Sequence, residues 1–234
     1  MRKSDKHLII GKGEVGQALY NVLKRHYEVY IRDKNDDLNG EFSVLHICYP
    51  PIKGFINITK NYIKKYNPKL VIIHSTIPLG YTEKIGPIAV HSPIRGKHPH
   101  LEKGIKTFVK YFGGKKAKEA ARYFSKIGIK TKVFKNSKTT ELLKILDTTY
   151  YGWNIVFAKE VKRICDKLNL NFKEVYTIPN QDYNEGYKKL GMSNVIRPVL
   201  KPMKGKIGGH CVIPNLNLLQ DWLTALIKKR NKIY

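Results

Sequence analysis

The chain is predicted to fold as an α/β protein, a doubly wound and mostly parallel sheet followed by a smaller all-helical domain. Three observations predict it. Short apolar runs alternate with amphipathic segments as far as Phe134, a glycine-rich turn joins the first run to the first amphipathic segment, and beyond Asn136 only helical periodicity remains. Strand–helix alternation belongs to parallel sheets covered on both faces.

Taken in order, the strand candidates are His7–Ile10, Glu28–Ile31, Val44–Cys48, Leu70–His74, Ile88–His91, Val109–Phe112 and Thr131–Phe134. Helices are expected at Gly16–His26, Ile52–Tyr66 and Lys115–Ile127. From Thr139 to about Leu168, apolar residues recur at helical spacing (Leu142, Leu143, Leu146, Ile155, Val156, Val161, Ile164). Shorter helices follow at Asn171–Tyr176 and Gln181–Leu190, then a glycine-rich loop and a last helix over Leu216–Lys229. The change of period divides the chain into residues 1–136, with the sheet, and 137–234, with the helices.

The run Leu8-Ile9-Ile10 leads into G-K-G-E-V-G, with Gly11, Gly13 and Gly16 enclosing Glu14 and Val15. In a dinucleotide site such glycines give a tight turn, a close approach for the pyrophosphate and close packing of helix on strand. The helix amino terminus favours the diphosphate through its free amides and dipole. Asp33 ends the second strand, where a carboxylate binds the ribose 2′-hydroxyl, which favours NAD; Arg32 and Lys34 beside it could instead receive a 2′-phosphate. Two more turns, at Tyr49-Pro50-Pro51 and Thr76-Ile77-Pro78-Leu79-Gly80, fall just after strands, at the edge where such sheets bind ligands.

Composition narrows the function classes. The formal net charge of +26 comes from lysines spread along all 234 residues, without an arginine-rich block or a nucleic-acid-binding motif, so no specific nucleic-acid partner is expected. Attraction to an anionic small molecule fits that charge. No apolar run is long enough for a membrane span, and the polar start, Met1–Lys6, does not read as a signal peptide. Three widely spaced cysteines give neither a disulfide framework nor a zinc spacing, and a reducing cytoplasm is expected.

Of these cysteines, Cys48 and Cys165 read as core, while Cys211 follows Gly208, Gly209 and His210. The glycine pair lets backbone approach a ligand and leaves the sulfur poorly covered. Lys144 and Thr148, four apart on the long helix, share a face that could offer an ammonium and a hydroxyl to an oxyanion. Thr76 is either ligand-facing or a turn cap. In H-S-P-I-R-G-K-H-P-H, Arg95, Lys97 and His98, with His91 and His100, look like a basic loop for an anion; no metal site is expected.

In order along the chain, G-K-G-E-V-G, L-H-I-C-Y-P-P, S-T-I-P-L-G, H-S-P, T-E-L-L-K-I-L-D-T-T-Y-Y-G-W-N and R-P-V-L-K-P-M-K-G-K-I-G-G-H-C resemble the UDP-glucose/GDP-mannose (nucleotide-sugar) dehydrogenases. The resemblance implies a Rossmann-type domain and a 6-phosphogluconate-dehydrogenase-like helical domain. It also implies NAD as cofactor, a sugar-like anionic substrate, and a homodimer formed through the long helix. By carry-over, Cys211 forms a thiohemiacetal and then a thioester, Lys144 stabilises the oxyanion, and Thr76 lies beside cofactor and sugar. Glu14, Val15, Tyr49 and Pro50 line the cofactor site, while Arg197, Gly208, Gly209 and Asn215 belong to the substrate loop.

Four departures accompany the resemblance. Thr148 stands where the family has asparagine, Asn215 where it has aspartate, and Ile94 and His98 follow Ser92-Pro93 where glutamates are usual; His210 could take over part of the missing carboxylate's proton transfer. The family's C-terminal nucleotide-binding domain has no counterpart in these 234 residues, so a truncated form is expected. A sugar-alcohol oxidation through Cys211 is therefore the expected function. The alternatives are a two-electron hydroxyacid-type dehydrogenase and a catalytically silent NAD-binding protein.

Overall fold

A computed structural model describes residues 5–96, 99–209 and 211–234. Seven strands form one sheet in the order β2-β1-β3-β4-β5-β6-β7. They are β1 (Lys6–Ile10), β2 (Glu28–Arg32), β3 (Val44–Ile47), β4 (Leu70–Ile73), β5 (Ala89–His91), β6 (Lys110–Gly113) and β7 (Thr131–Phe134). All pairings are parallel except β5 with β6, which meet at the single antiparallel pair His91 and Gly113. The result is a Rossmann-type sheet. β3 and β4 are buried along their whole length, which is why they read as unbroken apolar runs rather than alternating ones.

The helices of this region are α1 (Glu14–Leu23), α2 (Phe55–Tyr66), α3 (Tyr81–Ile85), α4 (Leu101–Thr107) and α5 (Ala117–Ser125). Side-chain alternation divides the core in two. Ile9, Val44, Leu70, Ile72 and Val90 pack with α1, α4 and α5, while Leu8, Ile10, Leu45, Ile47, Val71 and Ile73 pack with Phe55 and Tyr66 of α2 and Ile85 of α3. Strand order reverses at β1, flanked by β2 on one side and β3 on the other. The turns after β1 and β3 therefore border the crevice in which open α/β sheets bind ligands.

The chain divides into two compact units, the first ending at Lys144 and the second spanning Ile145–Tyr234. The division falls inside the 31-residue α6 (Ser137–Lys167). In the second unit a π-helical turn, Lys173–Thr177, runs directly into α7 (Ile178–Lys189), and α8 (Val212–Leu216) and α9 (Trp222–Asn231) follow. The last helix, expected from Leu216, begins later, at Trp222. Asp221 caps it, its carboxylate accepting from the Leu223 amide at 2.9 Å. Helices α3, α4 and α8 were not expected from sequence because five to seven residues are too few to display a period.

The second unit has a small core of Val156, Ile207, Val212, Leu216 and Ile227, supported by Trp153, Ile155, Ile213 and Tyr234. Gly152 admits α8 closely, since a Cβ there would stand 3.0 Å from Val212 Cγ1. Glu160 on α6 accepts from Arg230 and from the Tyr234 hydroxyl, fastening the end of the chain to the long helix. Those donors hold the Glu160 carboxyl down at about 2.

Candidate dinucleotide site and thiol loop

The turn after β1 is shaped by two glycines and kept open by a third. Gly11 has φ of +110°, and a Cβ there would meet the Cys48 carbonyl carbon and Tyr49 nitrogen at 3.0 Å; one at Gly16 would stand 1.9 Å from Gly11 O. A Cβ at Gly13 would meet nothing within 4 Å, and α1, which Gly13 caps, has no side-chain cap on its first-turn amides. A floor closed by Gly11 and Gly16 under a clear Gly13 suits a diphosphate lying across a helix amino terminus. Glu14 and Val15 begin α1 beside it, Glu14 exposed and Val15 half-buried.

The side chains after β2 distinguish the two candidate ribose partners. Asp33 is exposed, and its Oδ1 accepts only locally, from the Lys34 amide at 2.8 Å. Arg32, in contrast, is 5% exposed and each of its three guanidinium nitrogens donates a hydrogen bond. It donates to the Tyr66 hydroxyl at 2.6 Å, Asp33 O at 2.9 Å and Lys34 O at 3.1 Å. The sequence left Arg32 open as a receiver of a 2′-phosphate; its burial removes it from that role.

After β3, the Tyr49 hydroxyl donates to Thr59 Oγ1 at 2.7 Å, because Thr59 itself donates to Phe55 O. Ser75 Oγ donates to Tyr49 O at 2.6 Å, joining this turn to the one that carries half-buried Thr76. His91 supports the second turn from behind. A carbonyl only accepts, so His91 Nε2–H donates to Ser75 O at 3.1 Å and Nδ1 accepts from the Thr140 hydroxyl at 3.0 Å. Burial and the nearby Lys110 and Lys144 cations hold His91 down at about 3.

Glu141, one residue further along α6, accepts from the Gly80 and Thr82 amides at 2.6 and 3.0 Å and is wholly buried. It fixes the S-T-I-P-L-G turn to the helix that carries Lys144. Sequence reasoning passed it over; the available signal was an acid in an otherwise apolar-facing stripe, three residues before the candidate lysine.

In the second unit, Cys211 is a half-buried free thiol at the start of α8. Asn215 Nδ2 donates to Thr148 Oγ1 at 3.4 Å, and Thr148 Oγ1 donates to Ile145 O at 2.8 Å. The face of α6 that carries Thr148 therefore does meet the cysteine loop. Two of the positions that depart from the nucleotide-sugar dehydrogenase pattern, Thr148 and Asn215, are partners in this one contact. A cavity of about 340 Å³ opens between α6 and the segment from Leu200 to Val212, lined by Tyr151, Lys159, Lys201, Lys206, Ile207 and Gly208 among others. Lys159 donates to Gly205 O, and burial lowers its pKa. Gly208 and Gly209 (φ +80°) leave open space on their Cβ sides.

Residues 138–226 match the model of the UDP-glucose/GDP-mannose dehydrogenase family, central domain. Over 166 residues the chain is 30% identical to a UDP-N-acetyl-D-mannosamine dehydrogenase of Methanococcus vannielii, covering 67% of this chain and 35% of that protein. The chain is thus similar to members of the UDP-glucose/GDP-mannose dehydrogenase family. A namesake from Methanocaldococcus jannaschii is 28% identical over 68% of this chain and 37% of its own length. The match thus spans about a third of these relatives. Among solved structures, the UDP-D-ManNAc dehydrogenase of Pyrococcus horikoshii superposes with TM-score 0.74 at 20% identity, covering 97% of this chain and 68% of that one. A Mycobacterium tuberculosis 3-hydroxyisobutyrate dehydrogenase superposes with TM-score 0.69 at 14% identity, over 98% and 93%. At those identities the likeness is one of fold.

Against the pattern of this family, the chain brings some of the sequence-predicted residues together and disperses others. Gly11, Gly13, Gly16, Asp33, Tyr49, Pro50, Thr76 and Lys144 belong to the first unit, Thr148, Gly208, Gly209, Cys211 and Asn215 to the second. Arg95 lies over the Tyr111 and Phe108 rings at 5.3 and 5.6 Å. His91 is wholly buried under the Thr76 turn and so is no part of a basic surface loop. Arg197 stacks 3.5 Å from the Tyr183 ring centroid and donates to Asn180 Oδ1 at 3.3 Å, which places it against α7. Lys97, His98 and His210 lie outside the described residues.

Proposed function

We propose that the chain is an NAD-dependent dehydrogenase that oxidises a hydroxyl of a nucleotide-sugar-like, anionic substrate through Cys211. The contact between Thr148 and the Cys211 loop carries this reading, because it brings the α6 face and the thiol loop together at the positions the family uses. The first unit would hold the dinucleotide, with the diphosphate over Gly13 and the ribose on Asp33. Engagement of Arg32 favours NAD over NADP. NAD, when bound, accepts a hydride at each of two oxidation steps. Cys211 Sγ adds to the aldehyde carbon as its proton passes to the carbonyl oxygen; loss of hydride and a proton leaves a thioester, and water releases the acid and restores the thiol. Lys144 stabilises negative charge on the reacting oxygen. Lys159, Lys201 and Lys206 favour an anionic group near Tyr151. A reducing compartment such as the cytoplasm keeps Cys211 free, and pairing of two copies through α6 covers its apolar face.

The test is NADH formation with excess NAD across UDP- and GDP-sugars and free sugar phosphates. Two NADH per substrate, abolished in Cys211→Ser, is the expected outcome. A single NADH that survives Cys211→Ser would replace the thiol route with a two-electron hydroxyacid-type oxidation. NAD binding with no turnover of any substrate would leave only a dinucleotide binder.

A further inference from the structure

Three of the apolar strand segments carry a histidine, and sheet geometry aligns them. His7, His46 and His74 share the sheet face of Ile9, Val44 and Ile72, because alternate residues of a strand share a face. Register staggers them: His7 pairs with Val44, two before His46, which in turn pairs with Ile72, two before His74. Each imidazole therefore reaches the next diagonally. His7 Nδ1 lies 3.0 Å from His46 Nε2, and His46 Nδ1 lies 3.0 Å from His74 Nε2. His74 Nδ1 lies 3.0 Å from Ser92 O and 3.3 Å from Lys110 Nζ, itself 3.1 Å from Ser92 O. All three histidines are at most 2% exposed and Lys110 is 5% exposed.

Two proton arrangements keep both ring-to-ring hydrogen bonds and both Lys110 contacts with neutral rings, and they differ in whether His74 Nδ1 also donates to Ser92 O. With Lys110 neutral, each Nδ1–H donates onward, His7 to His46, His46 to His74 and His74 to Ser92 O. His7 Nε2 is then a bare acceptor, and it has no hydrogen-bond partner among the described residues. With Lys110 protonated, its ammonium donates to both His74 Nδ1 and Ser92 O, and each ring donates backwards from Nε2. The two arrangements differ by one proton.

We propose that His7, His46, His74 and Lys110 form a buried proton relay, in which one proton taken up at His7 Nε2 reverses all three tautomers and emerges on Lys110 Nζ. The balance is explicit. A proton from solvent binds His7 Nε2, the Nδ1 protons of His7 and His46 each move to the next ring's Nε2, and the His74 Nδ1 proton moves to Lys110. No ring retains charge, and Ser92 O exchanges its His74 donor for the new ammonium.

The surroundings support an amine that changes charge. Facing His7 are Asp5, the stacked Tyr27 ring at 4.6 Å and the Tyr123 ring at 4.9 Å, whose hydroxyl donates to Asp5. His46 faces its two neighbours and Phe124, and His74 faces Phe124, with His91 also acting on it. Lys110 stands over the Phe124 and Phe112 rings at 5.1 and 5.7 Å, beside the Cys48 thiol. Among the described residues it makes no ion pair, and burial lowers its pKa to about 7.

The test is imidazole ¹⁵N NMR of the full chain from pH 9 to pH 6, with the three rings assigned by their couplings across the N–H···N bonds. As pH falls, all three are expected to change from Nδ1–H to Nε2–H with one shared midpoint near 7, the value for Lys110. Lys110→Met is expected to hold them in the Nδ1–H form throughout. Separate titration of each ring to imidazolium, unchanged tautomers across the range, or reversal that persists in Lys110→Met would each overturn the relay. The wild-type titration decides the matter even if the variant fails to fold.

Discussion

The two units bury different things. The first covers its sheet from both faces with two apolar clusters and encloses four histidines, a lysine, an arginine and a glutamate among them. The second has a core cluster of five buried side chains, and Tyr150, Tyr151 and Phe157 of α6 are each more than half exposed. Buried polar groups raise the cost of protonation or breakage, whereas exposed apolar groups call for a covering surface. The first unit should therefore be sensitive to pH and to backbone close contacts, and the second to association.

Acid should separate the units most strongly. Burial lowers His7 to about 4 and His91 to about 3, and pushes His46 and His74 down as well. Below the unfolded histidine value, about 6.5, the unfolded chain takes up protons that the fold refuses, so stability falls as pH drops from there towards the folded values. His7 alone corresponds to about 3 kcal/mol, a large part of a typical domain's stability. Lys110 has the same sign between its unfolded value near 10.5 and about 7, so stability rises with pH over that window too. Hydrogen exchange at pH 5 against pH 8 should show protection lost in β1, β3 and β4 first, with α6 beyond Ile145 and α9 retained. Equal loss in both units would remove the contrast.

Next in size is Gly16→Val. The added Cβ would collide with Gly11 O at 1.9 Å, so the turn must open. NAD affinity should fall more than 100-fold, or above about 2.7 kcal/mol, by titration calorimetry. The melting of the first unit should shift while α6 helicity past Ile145 holds. Retained affinity would mean that the turn is not the diphosphate floor.

Phe157→Glu tests the second unit. Tyr150, Phe157 and Ile164 recur every seven residues, one face of a helix, and Phe157 is 59% exposed. A charge there should weaken a dimer roughly 10- to 100-fold in sedimentation, a central-contact effect of about 2 kcal/mol, without unfolding the chain. A wild-type monomer at micromolar concentration would exclude this surface.

The same contrast governs what was legible in the sequence. All seven strands were readable, β1, β3 and β4 most plainly as continuous apolar runs, and the Gly11–Gly16 turn was readable because local order sets it between β1 and α1. The histidine relay was not. Each histidine looked like a core residue of its own strand, and only the two-residue stagger of the register joins them. Glu141 escaped for a similar reason, since its partners, Gly80 and Thr82, are distant in sequence. Arg32 was over-read. Side-chain type gave its charge, but burial against Tyr66 decides what that charge meets.

The smallest expected effect lies at the thiol loop. Thr148 and Asn215 occupy the positions where the sequence departs from the family pattern, and they bond to each other as a hydroxyl and an amide. An amide cannot take a proton from water, so thioester hydrolysis is the step that should lag once Cys211 is acylated. Rapid mixing with substrate and NAD should then give a burst of NADH followed by a slower steady rate. Asn215→Asp restores a proton acceptor of nearly equal size, and its partner, the Thr148 hydroxyl, can turn from Ile145 O to donate to a carboxylate. The steady rate should rise roughly 3- to 10-fold, up to about 1.4 kcal/mol, with the burst amplitude reduced and substrate KM little changed. A variant with the burst intact and the rate unchanged would place the slow step elsewhere, and the amide would then serve only to hold α8 against α6.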